Sequence, residues 1–218
     1  MSAVDPLEAP KLYANIMEEI KIRIAAIDLG TGGKLPLLAP VFVTEFSFLQ
    51  LRMICELIAL GCLVAHGNLK QSKKLKKEWA ADKIIEEMEK LHLDFFPRPV
   101  RYTQIKEGFR FDLVPGRLTK EGLIELYHEC GNHLHRGNVK KLLKAKMPVQ
   151  VHFPEITARA QKLHDLLAQH VVSTIGNEKH FICVLRNANN NMQAQVTIAE
   201  KTKEPPELIK QAFDALNK

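Results

Sequence analysis

The stretch FSFLQLRMICELIALGCLVA, residues 46–65, decides the fold because it is apolar on almost every side. Such a helix is stable only when other elements cover it all round, so we predict a central core helix over about 41–66. A length of about 20 residues would also span a bilayer. Arg52 and Glu56 lie near its middle, however, and each would cost about 2.5–3.5 kcal/mol there. We therefore expect a buried helix and no membrane partner.

The length and charge of the chain indicate an ordinary globular protein. With 218 residues it can bury a sizeable core, and we expect a single domain over 1–218. Its net charge of +6 permits contact with phosphate but does not require it. The excess of positive charge is concentrated in two runs: KQSKKLKKEW (70–79) holds five lysines, and KKLLKAK (140–146) holds four. Either run is also typical of the solvated face of a helix.

The cysteines favour a reducing compartment. Cys55, Cys62, Cys130 and Cys183 form no CxxC pair, and the first two lie inside the apolar helix, where cysteine behaves as a small hydrophobe. The N-terminal residues MSAVDPLEAPK lack the basic and apolar regions of a secretory signal. We expect a cytoplasmic protein with free thiols.

Apolar residues at helical spacing predict four more helices, over about 10–28, 72–92, 119–135 and 154–174. Thr119 is expected to cap the third of these. Trp79 falls on the apolar stripe of 72–92 and is expected in the core.

Two segments favour strands. Residues 95–116 alternate polar and apolar side chains around Gly108, and HFICVL and MQAQVTI flank the turn-rich RNANNN within 179–201. We therefore predict a mostly α protein, a helical bundle over about 10–175. An insertion at 95–116 forms a short mid-chain hairpin, and a small β-hairpin with a closing helix occupies about 179–217.

The stretch LYHECGNHLHRGN (126–138) at first suggests a metalloprotease motif, because two histidines four residues apart on a helix can bind zinc. Here His128 and His133 are five apart, which is about 140° round a helix. His128 shares a face with Asn132 and His135 instead. A zinc site would need ligands from elsewhere, and no spacing demands one, so we expect neither metal nor cofactor.

A second group of polar residues lies on the apolar helix. Arg52 and Glu56 are four residues apart and can form an ion pair, and Glu45 lies on the same line. Charges on so apolar a helix need partners. The pair either locks the core or lines a cleft with polar residues of the 119–135 helix. The candidate partners are Tyr127, Asn132 and His135.

These motifs carry a resemblance. LRMICELIALGCLVAHG resembles the R-x3-E helix of prokaryotic all-α families, and LYHECGNHLHRGN resembles their companion motif of a tyrosine, a small polar residue and a histidine. Those families are similar to the HEPN superfamily of helical nucleotide- and RNA-binding domains of toxin–antitoxin and defence systems. The resemblance covers about 41–138. It implies a helical bundle, a homodimer, and RNA or a nucleotide as ligand.

Active HEPN ribonucleases carry an arginine and a histidine with four to six residues between them, acting across a dimer on a phosphodiester. Arg159 and His164 match this spacing, but about one match is expected by chance. Cys130 and His135 have the spacing with cysteine where arginine is required.

Three hypotheses follow. The first is a nucleic-acid- or nucleotide-associated interaction module in bacterial stress or defence. The second is a metal-independent ribonuclease, in which an arginine holds the phosphate and a histidine moves the proton. The third is a purely structural interaction protein. An open cleft would favour the nuclease, and a sealed cluster would favour structure. The candidate catalytic residues are His135, Arg52 and Glu56, then Arg159 and His164; the candidate binding residues are Tyr127, Asn132 and His128.

Overall fold

The computed structural model describes residues 8–34, 39–66, 75–105, 108–115, 118–135, 153–177 and 179–200. Within these ranges the chain forms five α-helices and five strands. The helices are α1 (Ala9–Thr31), α2 (Pro40–Ala65), α3 (Ala81–Leu91), α4 (Lys120–Leu134) and α5 (Phe153–Leu167). The strands are β1 (Arg98–Ile105), β2 (Gly108–Leu113), β3 (Gln169–Ser173), β4 (Lys179–Asn187) and β5 (Gln193–Glu200).

The prediction of a mostly helical bundle with a small C-terminal hairpin is wrong. The strands form one antiparallel sheet in the order β2-β1-β3-β4-β5, so the fold is mixed α and β. The error lies at 168–174, where a helix was expected to continue. Instead α5 ends at Leu167 and β3 follows at once, because the β-branched run after it pairs with strands on both sides.

β3 joins the two predicted hairpins. It pairs with β4 along its whole length, from Gln169 to Ser173, but it meets β1 only at Arg98 and Pro99. The mid-chain hairpin β1–β2 is thereby part of the main sheet and not a separate insertion. The predicted closing helix at 205–217 lies outside the described residues.

α2 occupies the centre of the helical layer. α1 and α5 lie between it and the sheet, and α3 and α4 pack against its other sides. It is long and apolar enough to cross a membrane, but 61% of its most apolar window is buried inside the protein, as in the core helix of a soluble protein. Gly61 lets α1 approach closely, since a Cβ there would lie 3.3 Å from the Tyr13 ring.

A buried hydrogen bond ties α1 to the sheet. The Tyr13 hydroxyl lies 2.6 Å from His170 Nε2, and His170 Nδ1 lies 2.9 Å from the Leu167 carbonyl oxygen. The carbonyl can only accept, so Nδ1 carries the proton and Nε2 accepts from the tyrosine. Burial lowers the pKa of His170 to about 4 and raises that of Tyr13.

The start of α3 differs from the prediction. A helix was expected from 72, but Leu75–Lys77 is a short 3-10 turn and α3 begins only at Ala81. The Glu78 carboxylate accepts from the backbone N–H groups of Trp79 and Ala80, at 3.0 and 3.1 Å. These bonds hold the backbone ahead of α3, and Trp79 lies outside the core with 64% of its surface exposed.

Acid is expected to destabilise the fold through His170. A histidine in the unfolded chain titrates near pH 6.5, so the unfolded state takes up this proton at higher pH than the folded state. The contribution is complete above pH 6.5 and is lost as the pH falls towards the folded pKa of about 4. We expect the free energy of unfolding to fall by about 2 kcal/mol between pH 6.5 and 5 from this group.

Urea unfolding at several pH values tests this expectation. Burial also lowers the pKa of His66 and His133, which adds to the effect with the same sign. A stability that stays constant from pH 6.5 to 5 would show that His170 is not buried in neutral form.

Candidate functional site

Arg52 of α2 forms a closed cluster with α4, here called the Arg52 seam (Arg52, Glu56, Tyr127). Arg52 Nη2 donates to the Tyr127 hydroxyl at 2.6 Å, and Arg52 Nε lies 3.3 Å from Glu56 Oε1. Tyr127 lies close enough to Glu56 to act against the rise in the pKa of its carboxyl. Gly131 makes room for the guanidinium, since a Cβ there would lie 2.8 Å from Nη1. The predicted ion pair and its tyrosine partner are confirmed.

The Arg52 seam is largely withdrawn from solvent. The side chains of Arg52 and Glu56 are 22% and 14% exposed, and Tyr127 is buried. Burial raises the pKa of Glu56 more than Arg52 and Tyr127 lower it. Each polar group already has a partner within the cluster. This is the geometry of a lock between α2 and α4, not of an open cleft.

Asn132 and His135 lie away from the Arg52 seam. The buried side of α4 carries Leu123, Leu126, Tyr127 and Cys130. At about 100° per residue, His128, Asn132 and His135 fall on the opposite side, and all three are exposed. His128 Nε2 contacts Asp82 of α3 at 3.2 Å. Neither Asn132 nor His135 makes a side-chain hydrogen bond to another residue that the structure describes.

The guanidinium group of Arg159 is also paired with carboxylates of the same chain. Its Nε and Nη2 donate to the Glu129 carboxylate at 3.0 and 2.5 Å, and Nη1 lies 3.6 Å from Glu155. His133 lies beside this group, with its ring stacked on Phe48 at 3.8 Å between centroids. All three guanidinium nitrogens therefore face carboxylates of the same chain. His164 is about 140° further round α5 and points elsewhere.

His164 instead lines a cavity of about 380 Å³, which we call the β1–β4 groove. The groove exists because β3 is shorter than its neighbours: β1 turns away to pair with β2, and the space between β1, β4 and the end of α5 stays open. Its apolar walls are Pro99, Val100, Val114, Ala168, Val184 and Leu185. Its polar walls are Arg101, His164, Asp165, Gln169 and Arg186.

The charge of the groove wall is positive, since it holds two arginines against one aspartate. Arg101 and Arg186 are exposed, on β1 and β4 respectively. The β4 strand has an irregularity between Val184 and Asn187, of the kind that re-aims a side chain. Apolar walls with a few convergent polar groups are typical of small-molecule sites of this size. The two guanidinium groups suit a phosphate.

The arginines of the groove were not found by the sequence analysis. Arg101 and Arg186 belong to no motif and are 85 residues apart in the chain. They line one cavity only because β3 brings the two hairpins together. The sequence analysis placed Arg101 in a predicted strand and Arg186 in the turn-rich connector RNANNN, and nothing in either pattern pairs the two hairpins.

Neither the described side chains that could bind a metal nor the comparisons with known proteins indicate a function. Among the described residues, no group of three or more His, Cys, Asp and Glu side chains is placed to hold a metal ion. Comparison with protein-family models, characterised proteins and solved structures gives no match for this chain. The HEPN-like resemblance therefore stays a prediction.

Removing one member of the Arg52 seam should be costly. Arg52→Met leaves the Glu56 carboxylate largely buried without its cation, and we expect a loss of about 3 kcal/mol in the free energy of unfolding. The double variant Arg52→Met/Glu56→Leu should recover much of that loss, since no buried charge is left alone. Urea unfolding of the two single variants and the double variant gives the coupling energy.

A control is Lys83→Met, which breaks the exposed Lys83–Glu86 pair within one helix, three residues apart. It should cost less than about 1 kcal/mol. Additive losses for Arg52 and Glu56 would mean that the two charges do not stabilise each other.

Proposed function

We propose that the protein is a nucleotide-binding module whose β1–β4 groove takes one phosphate-bearing nucleotide. The observation that carries the proposal is the placement of Arg101 and Arg186 at a cavity of about 380 Å³ with apolar walls. The groove is a separate place from the Arg52 seam and from Arg159, whose guanidinium groups face carboxylates of the same chain.

The chemistry of the walls matches the parts of a nucleotide. A guanidinium donates two parallel hydrogen bonds to phosphate oxygens, and two such groups neutralise the phosphate charge. The side chains of Val100, Val184 and Leu185 offer apolar surface for the face of a base or for the ribose. Asp165, which accepts from Gln161 at 2.7 Å, and Gln169 lie in the same wall.

The proposed setting follows the sequence expectations. All four cysteines are free and buried, which suits a reducing cytoplasm. A role in bacterial stress or defence rests on the resemblance alone. The ribonuclease alternative stays a prediction, to which the paired state of Arg52 and Arg159 lends no support. The structural alternative suits the Arg52 seam but leaves the groove without a role.

A homodimer remains part of the proposal. The outer side of α2 leaves Phe42 54% and Leu49 43% exposed, with Phe46 and Met53 half-buried on the same face. Apolar surface of this kind on a central helix supports association through α2.

Nucleotide titration by calorimetry tests the groove. We expect nucleoside monophosphates to bind the wild-type chain, and Arg186→Gln and Arg101→Gln each to weaken binding at least tenfold, because each removes a charged hydrogen bond to phosphate. Lys83→Gln removes the same charge from α3 outside the groove and should leave the affinity unchanged.

Two results would contradict the proposal. One is the absence of any binding by the wild-type chain at millimolar nucleotide. The other is binding that falls equally in all three variants, since that would report net charge and not the groove. An RNA cleavage assay in EDTA runs beside it, and cleavage abolished by His164→Ala or His135→Ala would establish the nuclease instead.

A further inference from the structure

Unpaired polar atoms gather at one end of the sheet. Among the described residues, four buried side-chain N or O atoms have no hydrogen-bond partner, and three of them belong to His66, His92 and Arg98. The atoms are Nε2 of each histidine and Nε of the arginine. The two histidine rings are 5.6 Å apart between centroids. Each buried group of this kind costs about 1–3 kcal/mol, so this end of the sheet is packed at a cost to stability.

Ser173 of β3 connects the three residues. Its hydroxyl accepts from Arg98 Nη2 at 2.8 Å and lies 3.0 Å from His180 Nδ1 on β4. Its backbone lies close enough to His66 to raise the pKa of that ring. A carboxylate, that of Asp94, lies 3.8 Å from Arg98 Nη1. We call the group the His66 cluster (His66, His92, Arg98, Ser173, His180).

The His66 cluster lies where the β1–β2 hairpin joins the sheet. β1 meets β3 only at Arg98 and Pro99, so one of the two paired positions belongs to the cluster itself. The next residue, Val100, packs in a small apolar cluster that is separate from the main core. Phe95, just before β1, is fully buried in the main core. The hairpin thus has a fixed point at Phe95 and a weak attachment beyond it.

We infer that the His66 cluster is an acid-sensitive switch, which holds the β1–β2 hairpin against β3 at neutral pH and releases it when the histidines take up protons. Protonation places new positive charges beside Arg98, and Asp94 offsets only part of them. Release lets water reach the three unpaired nitrogen atoms and removes the cost of their burial. The hairpin turns about Phe95, and the main core stays intact.

The direction of the switch follows from the surroundings of His66. Its Nδ1 lies 2.7 Å from the Cys62 carbonyl oxygen and therefore carries the proton, so the neutral ring leaves Nε2 bare. Burial lowers the pKa of His66 from its usual 6.5, and the neighbouring His92 lowers it further. Opening removes both effects, so the open form takes up the proton at higher pH than the closed form. The closed form is favoured above pH 6.5, and the open form gains as the pH falls.

The switch acts on the β1–β4 groove. β1 supplies Pro99, Val100 and Arg101 to its wall, so release of the hairpin removes one of the two guanidinium groups. The groove is therefore complete at neutral pH and dismantled in acid. This consequence for ligand binding rests on the proposed function, whereas the movement of the hairpin does not.

Spin labels on the full-length chain measure the movement. One nitroxide is attached at Thr103→Cys on β1 and the other at Lys162→Cys on α5, two exposed positions, and the four natural cysteines are buried. Pulsed electron spin resonance should give one distance at pH 7.5 and a second, longer distance at pH 5.5. The open fraction should rise by up to about tenfold per pH unit for each proton taken up on opening.

A matched control pair carries the labels at Lys83→Cys and Lys162→Cys, both exposed and both in helices. Its distance should be the same at the two pH values, because the helical layer does not move. A change in this control pair that accompanies the change at Thr103 would report general unfolding and would overturn the inference.

Variants of the cluster test its role. His66→Gln/His92→Gln should stay closed at pH 5.5, because glutamine takes up no proton. His92→Gln alone changes a half-buried residue and serves if the double variant does not fold; it should reduce the response to pH. Ser173→Ala removes the acceptor of Arg98 and should raise the open fraction already at pH 7.5. A single distance in the wild-type chain at pH 5.5, or a response in the histidine variants equal to that of the wild type, would refute the switch.

Nucleoside monophosphate titrations at both pH values separate this inference from the groove proposal. The affinity of the wild-type chain should fall more at pH 5.5 than that of His92→Gln, a comparison that cancels the change in the phosphate's own charge near pH 6, its pKa being about 6. If only the groove proposal fails, no mononucleotide binds at either pH while the Thr103–Lys162 distance still responds. If only this inference fails, mononucleotides bind and the distance stays constant.

Discussion

The burial of α2 is the constraint on which the rest of the structure depends. A helix of 26 residues that is apolar on almost every side must be covered over most of its surface, and α1, α3, α4 and α5 all contact it. α1 and α5 in turn rest on the sheet, so the sheet completes the burial of their other faces. The two layers are therefore consequences of one apolar segment.

The burial of α2 also explains the arrangement of Arg52 and Glu56, which the sequence analysis named as candidate catalytic residues. Arg52 and Glu56 are carried into the interface of α2 and α4, where an unpaired charge would be costly. Tyr127 closes the cluster from α4, and Gly131 leaves the space for the guanidinium. Burial raises the pKa of Glu56, as it would in an active site. The shift here follows from packing, because burial outweighs the lowering effect of Arg52 and Tyr127.

The parts of the structure that sequence reasoning found are those that helical spacing determines. The extent of α2, the Thr119 cap and the pairing of Arg52 with Glu56 and Tyr127 all follow from local periodicity. The same spacing, applied fully to α4, would have placed Asn132 and His135 on the side away from Leu123 and Cys130. β3 could not be predicted in this way. It has only five residues and follows a helix directly, so the spacing of its apolar residues does not distinguish a strand from a continued helix. Its pairing with β1 and β4 decides its state.

β3 then accounts for the groove as well as for the fold. Had α5 continued to 174, the two hairpins would have no common edge, and Arg101 and Arg186 would belong to separate parts of the molecule. A short strand joins them at Arg98 and Pro99 and leaves the space beyond unfilled. The exposed position of Trp79 has the same kind of origin, since Glu78 binds the backbone N–H groups of Trp79 and Ala80 and α3 begins only at Ala81. The groove and the exposed indole thus both arise where local structure departs from the helical pattern, so a periodic pattern predicts the core better than the surface.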